Sequence, residues 1–168
     1  MSLRIVVDIE ANGLYQEVTK IHCVVAKDVD TGVVHKYHGE DNVVGIPAGL
    51  VHLQQASLIY GHNFIDYDMR VIEKLSPVKL DVNKIIDTML LSYMLDPHRG
   101  RHIDCPPSQV IGDKRKPIGP HSLKNWGYIC GRGKVEHEDW ETFTPEMLHR
   151  CVEDVEITEL VAKKLGVL

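Results

Sequence analysis

Arg4-Ile5-Val6-Val7-Asp8-Ile9-Glu10 decides the reading of this chain: an apolar, β-branched run that ends by placing two carboxylates two residues apart. The unbroken run predicts a strand covered on both faces, and a strand's period of two returns Asp8 and Glu10 to the same face. Like charges that close repel unless one is protonated, protein cations neutralise them, or a metal ion sits between them. Asn12-Gly13 follows at once and marks a turn just past the pair. Carboxylates at the carboxyl end of a central strand lie where open α/β sheets place their sites. Alone, Asp-x-Glu is also what an ordinary strand running into a loop looks like, so its meaning depends on the rest of the chain.

Downstream, residues 21–26 and 33–38 predict two more strands, joined as an antiparallel hairpin by Asp28-Val29-Asp30-Thr31-Gly32. Residues 47–55 suit a short helix with Pro47 in its first turn, and residues 57–60 a buried fourth strand. From Asp66 the spacing turns helical, with Met69, Ile72 and Leu75 recurring until Ser76-Pro77 stops them. Ile85-Ile86 is a short fifth strand, and residues 88–95 a helix. Residues 97–120 hold Gly100, Pro106-Pro107, Gly112, Pro117 and Gly119-Pro120 and predict a long irregular loop. Its cations Arg99, Arg101, Lys114, Arg115 and Lys116 either solvate that loop or meet a phosphate backbone. His98-x-x-x-His102-x-x-Cys105 has a zinc-like spacing but lacks a fourth ligand in the sequence. Residues 121–128 predict a helix stopped by Cys130-Gly131-Arg132-Gly133. The order β-β-β-α-β-α-β-α, then helices, implies a mixed sheet flanked by helices.

At 168 residues the chain suits one domain, 1–168, with 43% hydrophobic and 26% charged residues, ordinary for a soluble protein. No run approaches the roughly 18 apolar residues of a membrane span, and residues 1–3 lack a secretory pattern, so an intracellular protein without a membrane partner is expected. Cys23, Cys105, Cys130 and Cys151 form no C-x-x-C pair and read as free thiols. A net charge of −5 argues against a phosphate-rich partner, an objection that weakens if acids cluster around divalent cations.

Thr144-Pro145-Glu146 is a helix start, with an N-cap, Pro at the first position and an acid in the first turn. Leu148, Cys151, Val155, Thr158 and Val161 trace the buried stripe of a helix expected to run to about Lys164. Asp154 falls among these core positions, facing inward or at the edge of the buried stripe, and an inward carboxylate needs a cation or donors. Asp68, in the first turn of its helix, is explained, taken alone, by favourable interaction with the helix dipole.

Three segments in order resemble the DEDD (DnaQ-like) superfamily of metal-dependent 3′–5′ exonucleases: Asp8-x-Glu10, His62-Asn63 through Tyr67-Asp68, and His149-x-x-x-x-Asp154. Ile86-Asp87-Thr88, His121-Ser122-Leu123 and Trp126-Gly127-Tyr128 resemble the proofreading exonuclease domain of bacteriophage family A DNA polymerases. The resemblance implies a ribonuclease H-like fold: a mixed five-stranded sheet with its first three strands antiparallel, flanked by helices. It also implies two divalent cations, Mg²⁺ or Mn²⁺, which hard oxygen ligands suit. Asp8 would bridge both ions, Glu10 and Asp154 would hold the ion that activates water, and Asp68 would serve the leaving-group ion. The implied partner is the 3′ end of single-stranded DNA, hydrolysed to nucleoside 5′-monophosphates. A DNA polymerase in trans and a phage protein's setting in the host cytoplasm follow from the same resemblance; oligomeric state stays open. Ile9, Ala11, Asn12, Gly13 and Asn63 are the expected contacts to the terminal nucleotide. An exoribonuclease acting on short RNA and a nucleic-acid-binding module with an inactive site are the alternatives.

One departure concerns the general base. Polymerase-attached domains of this type carry Tyr four residues before the last Asp, where this chain has Arg150. The resemblance favours His149 as general base, the histidine (DEDDh) spacing. Five residues turn a straight helix by roughly 500°, leaving His149 and Asp154 about 140° apart, so this role requires a late start or a kink. A straight helix from Thr144 leaves His149 at the surface and puts Arg150, a candidate phosphate or strand contact, beside Asp154.

Overall fold

The computed structural model describes residues 2–111, 114–132 and 140–168. Gly112 in the expected loop and Gly133 in the expected helix stop lie outside them. Strands β1 (Arg4–Ala11), β2 (Ile21–Asp28), β3 (Val34–His38), β4 (Leu58–Gly61) and β5 (Ile85–Asp87) form one mixed sheet in the order β3-β2-β1-β4-β5. The pairs β1–β2 and β2–β3 are antiparallel, whereas β1–β4 and β4–β5 are parallel. Helices α1 (Ile46–Gln55), α2 (Asp68–Leu75), α3 (Thr88–Leu95), α4 (Leu123–Ile129) and α5 (Pro145–Lys164) complete the fold.

The two faces of β1 go to different cores, as its period of two requires. Ile5, Val7, Ile9 and Ala11 pack with Leu50 and Leu53 of α1 and Val71 and Ile72 of α2. Val6, on the opposite face, joins Cys23, Val25 and Tyr60 against Cys151, Val155 and Ala162 of α5. Asp8 and Glu10 continue the Val6 face and therefore look toward α5. Burying an aliphatic side chain contributes about 1.5–3 kcal/mol. Val155, Ile157 and Val161 are each 0% exposed, so their packing exceeds what one inward carboxylate opposes and fixes where Asp154 sits.

α5 runs unbroken for 20 residues, its first turn closed by the Thr144 side chain, which accepts the Met147 amide hydrogen at 3.1 Å. It starts at Pro145 rather than late and is helical through His149 without a break.

The expected loop at 97–120 contains secondary structure. Strands β6 (Ser108–Ile111) and β7 (Lys114–Pro117) pair antiparallel as a ribbon separate from the main sheet. Pro and Gly density hid it, although the strands themselves carry only Pro117, at an end where Pro is tolerated. Asn125, fully buried, anchors the surrounding segment: its Oδ1 accepts from the His102 amide at 2.8 Å, and its Nδ2 donates to the Pro120 carbonyl at 2.6 Å.

Candidate functional site

The site opens where β1 and β4 part. Their pairing runs only from Arg4↔Leu58 to Val6↔Tyr60, and beyond it the Ile9 amide donates to Asp68 Oδ1 at 3.2 Å instead of to a strand. A pocket of about 310 Å³ forms there, lined by Asp8, Ile9, Glu10, His62, Asn63, Tyr67, Asp68, Met89, Ser122, Leu123, Arg150 and Asp154. Carboxylate oxygens of Asp8, Glu10 and Asp154 all lie within 4.8 Å of one another, the one such metal-competent group among the described residues. Glu10, Asp68 and Asp154 are buried, at 7, 4 and 3% exposure, and Asp8 is half-buried. A larger apolar cavity of about 610 Å³, lined by Ile21, Leu50, Val78 and Phe143 among others, brings together no group of acids.

Crowding of like charge shows in the titration behaviour. Burial, then the charge of Asp8, pushes the Asp68 carboxyl well above its ordinary 3.8, so without a cation it tends to hold a proton. Tyr67 is pushed up to about 12, by burial first and then by Asp68, Glu10 and Asp8; its hydroxyl stays neutral and donates to the Gly13 carbonyl at 2.6 Å. Cys151, fully buried, is held a neutral thiol well above its ordinary 9.0 by burial, and its Sγ lies 3.3 Å from Asp8 Oδ2 as a weak donor. An all-oxygen donor set with repelling charges suits a hard divalent cation such as Mg²⁺ or Mn²⁺.

Arg150 supplies positive charge. Its Nε is 3.3 Å from Glu10 Oε1 and 3.7 Å from Asp154 Oδ2, without the alignment of a hydrogen bond. Its guanidinium lies over the Trp140 ring, 4.6 Å from the centroid. The segment carrying that ring is tied to β2 by His22, whose Nε2 donates to the Trp140 carbonyl at 2.9 Å. His22 is the extra residue where the β1–β2 register shifts, opposite Glu10 and Ala11.

The structure thus gathers the four expected acids, Ile9, Asn63 and Arg150 around one pocket. It does not bring His149 there: that side chain is exposed and lines no part of the pocket. Ala11, Asn12 and Gly13 also fall outside the lining. The Asn12 side chain is occupied by its own turn, accepting from the Thr19 and Lys20 amides at 3.0 and 2.9 Å.

Asp87, which the sequence offered only within a resembling segment and without a role, holds the turn that bears Asn63. Buried Asp87 accepts four amides: Asn63 at 3.1 Å and Ile65 at 3.0 Å across the β4–α2 turn, and Met89 at 3.0 Å and Leu90 at 3.3 Å at the start of α3. Asn63 needs the support, because its φ of 59° is left-handed. Gly61 precedes it with no room for a side chain, since a Cβ would stand 2.5 Å from the Phe64 Cβ. The readable signal was Asp87 before Thr88 as an N-cap.

No family model matches this chain. It is 31% identical over 188 aligned residues to the DNA-directed DNA polymerase of Enterobacteria phage T3, covering 96% of this chain and 26% of that protein. The figures for the DNA-directed DNA polymerase of Escherichia phage T7 are the same. Among solved structures, Brucella melitensis NrnC superposes with a TM-score of 0.67 at 16% identity, over 99% of this chain and 73% of that one. The same protein bound to pGG gives a TM-score of 0.60 at 14% identity, over 99 and 76%. The chain therefore spans about a quarter of the phage polymerases it resembles, and its fold is the ribonuclease H-like fold of these nuclease structures.

Proposed function

We propose that this chain is a divalent-metal-dependent 3′–5′ exonuclease that hydrolyses the terminal phosphodiester bond of a DNA 3′ end and releases nucleoside 5′-monophosphates, residues 1–168 forming its exonuclease domain. The observation that carries the reading is the convergence of Asp8, Glu10 and Asp154, with Asp68 on the same pocket, at the carboxyl end of the central strand. The 31% identity to part of two phage DNA polymerases supports it, as does a fold shared with NrnC, also solved with bound Mg²⁺.

Asp8, Glu10 and Asp154 would hold the cations, with Asp68, bonded to the Ile9 amide between the β1 acids, serving the leaving-group ion. When bound, two such ions supply an activated water, a stabilised leaving oxygen and neutralisation of developing charge. The protein's own residues do the rest. Ile9 and Met89 line the pocket beside the acids, while the Asn63 turn, clamped by Asp87, would present its side chain to the terminal nucleotide. Arg150 balances the acids before metal binds and, once displaced by a cation, is the charge that would meet a scissile phosphate. His149 receives no step, because it is exposed on an unbroken helix.

A second reading, hydrolysis of short RNA, uses the same acids; NrnC, of the same fold, has been solved bound to pGG, which suits a short substrate of either sugar. Matched DNA and RNA strands labelled at either end, followed with Mn²⁺, Mg²⁺ or EDTA, test both. Stepwise loss of 3′ nucleotides that requires metal and disappears in Asp8→Ala is the expected result. Full activity after exhaustive chelation, or Asp8→Ala within tenfold of the unsubstituted enzyme, overturns the metal assignment.

A further inference from the structure

The β6–β7 ribbon has no part in the acid site, yet it stands beside it. Lys124, on the first turn of α4, donates from Nζ to Gln109 Oε1 of β6 at 3.3 Å, and the two residues before Lys124, Ser122 and Leu123, line the acid pocket. The stalk is firm: Ile118 is buried, and its amide donates to the Pro107 carbonyl at 3.0 Å. The described strands of the ribbon therefore stand within one helical turn of residues that line the acid pocket.

Its charge is opposite to that of the chain, whose net is −5. β7 contains Lys114-Arg115-Lys116, and Arg115 is exposed and Lys116 half-exposed. Among the described residues neither meets a carboxylate. Arg115 instead donates to Ser108 Oγ across the ribbon at 3.2 Å, which holds the guanidinium in place without neutralising it. The register Val110↔Arg115 puts both on one face, where Val110 is 65% exposed. A fixed cation beside an exposed apolar side chain offers a phosphate its counter-charge and the adjoining sugar an apolar surface.

Resting on the exonuclease reading, we propose that this ribbon is a strand guide: Arg115, beside Val110 on one face, and Lys116, opposite Gln109 on the other, hold successive phosphates of a single-stranded polynucleotide that crosses the β7 edge upstream of the 3′ nucleotide lodged among the acids. Electrostatics favours this occupant, since the acids at the pocket repel an unmetallated strand and the ribbon supplies positive charge that, among the described residues, meets no carboxylate. The guide acts only on substrates long enough to reach it. A dinucleotide fills the pocket alone, whereas a strand of about 12 nucleotides engages both.

The experiment pairs Arg115→Ala/Lys116→Ala with the unsubstituted protein, and adds Arg115→Gln/Lys116→Gln in case truncation disturbs the ribbon. Anisotropy of a labelled 12-mer in EDTA reads binding without catalysis, while Mn²⁺-supported cleavage of a 12-mer and of a dinucleotide reads turnover. Expected are about five- to thirtyfold weaker 12-mer binding at low salt, a salt slope shallower by about 1.4, a raised 12-mer KM and unchanged dinucleotide cleavage. Unaltered 12-mer binding and salt slope in both variants overturn the guide, as does an equal loss on the dinucleotide. If the unsubstituted protein cleaves neither substrate, the exonuclease reading fails by itself, and the EDTA binding arm still decides whether the ribbon holds a strand.

Discussion

Arg150→Ala should tighten divalent-cation binding, although it removes a residue that lines the site. The guanidinium stands 3.3 Å from Glu10 and 3.7 Å from Asp154, two of the three carboxylates that could share an ion, so a cation entering between them must displace it. At an effective dielectric of about 20, each contact is worth roughly 5 kcal/mol of Coulomb energy before desolvation. Poor alignment and an open pocket reduce the net to about 1–2 kcal/mol, since the Arg150 side chain is 17% exposed. At about 1.4 kcal/mol per tenfold, Mn²⁺ should bind roughly five to thirty times more tightly to Arg150→Ala. Calorimetric or electron-paramagnetic titration of Mn²⁺ without nucleic acid measures this directly. The same loss of counter-charge should lower the metal-free Tm by about 2–8 °C, and saturating Mn²⁺ should narrow that gap. Arg150→Lys, keeping the charge but not the planar stack on Trp140, should fall between. A Mn²⁺ affinity within twofold of the unsubstituted protein would refute the competition.

His149→Ala should leave kcat and the pH–rate profile within about threefold of the unsubstituted enzyme; a loss of roughly 10²–10⁴ would mean that α5 unwinds locally to deliver the imidazole. Asp87→Ala should destabilise the fold by about 2–4 kcal/mol, because four amides lose a buried acceptor, with a Tm drop of roughly 5–15 °C by calorimetry. A drop under 2 °C would show that the Asn63 turn does not depend on it. The ion cluster joining α5 to β2 sets an acid limit. Lys27 Nζ reaches Glu156 at 2.8 Å and Glu159 at 2.6 Å, and Lys163 reaches Glu159 at 2.7 Å. Burial alone would raise the Glu159 carboxyl, but the hydrogen bonds from Lys163 and Lys27 outweigh it and hold it below the ordinary 4.5. A depressed carboxylate stabilises the fold above that value and ceases to as pH falls through its folded pKa, so Lys27→Met should flatten the fall in Tm on acidification below about pH 4.5. An equally steep fall in Lys27→Met would refute the assignment.

The sequence by itself determined what depends on local pattern. β1 was legible because β-branched continuity and a period of two need no partner to be read. The bounds of α5 followed from Thr144 and Pro145, whose capping geometry is local, and the same-face placement of Asp8 and Glu10 follows from the pleat. Tertiary structure alone decided what depends on distant segments meeting. That β1 and β4 part after Val6, that Asp68 takes the freed Ile9 amide, and that Asp87 gathers the Asn63 turn with the start of α3 are consequences of sheet order, which no local spacing encodes. The ribbon at residues 108–117 was hidden for a related reason: cross-strand pairing stabilises it, while its composition reads as loop. Between His149 and Arg150 the sequence held two incompatible readings, a spacing and a helix start. Packing of Cys151, Val155 and Ala162 against β1, β2 and β4 keeps α5 continuous, and a continuous helix turns Arg150, not His149, toward the acids.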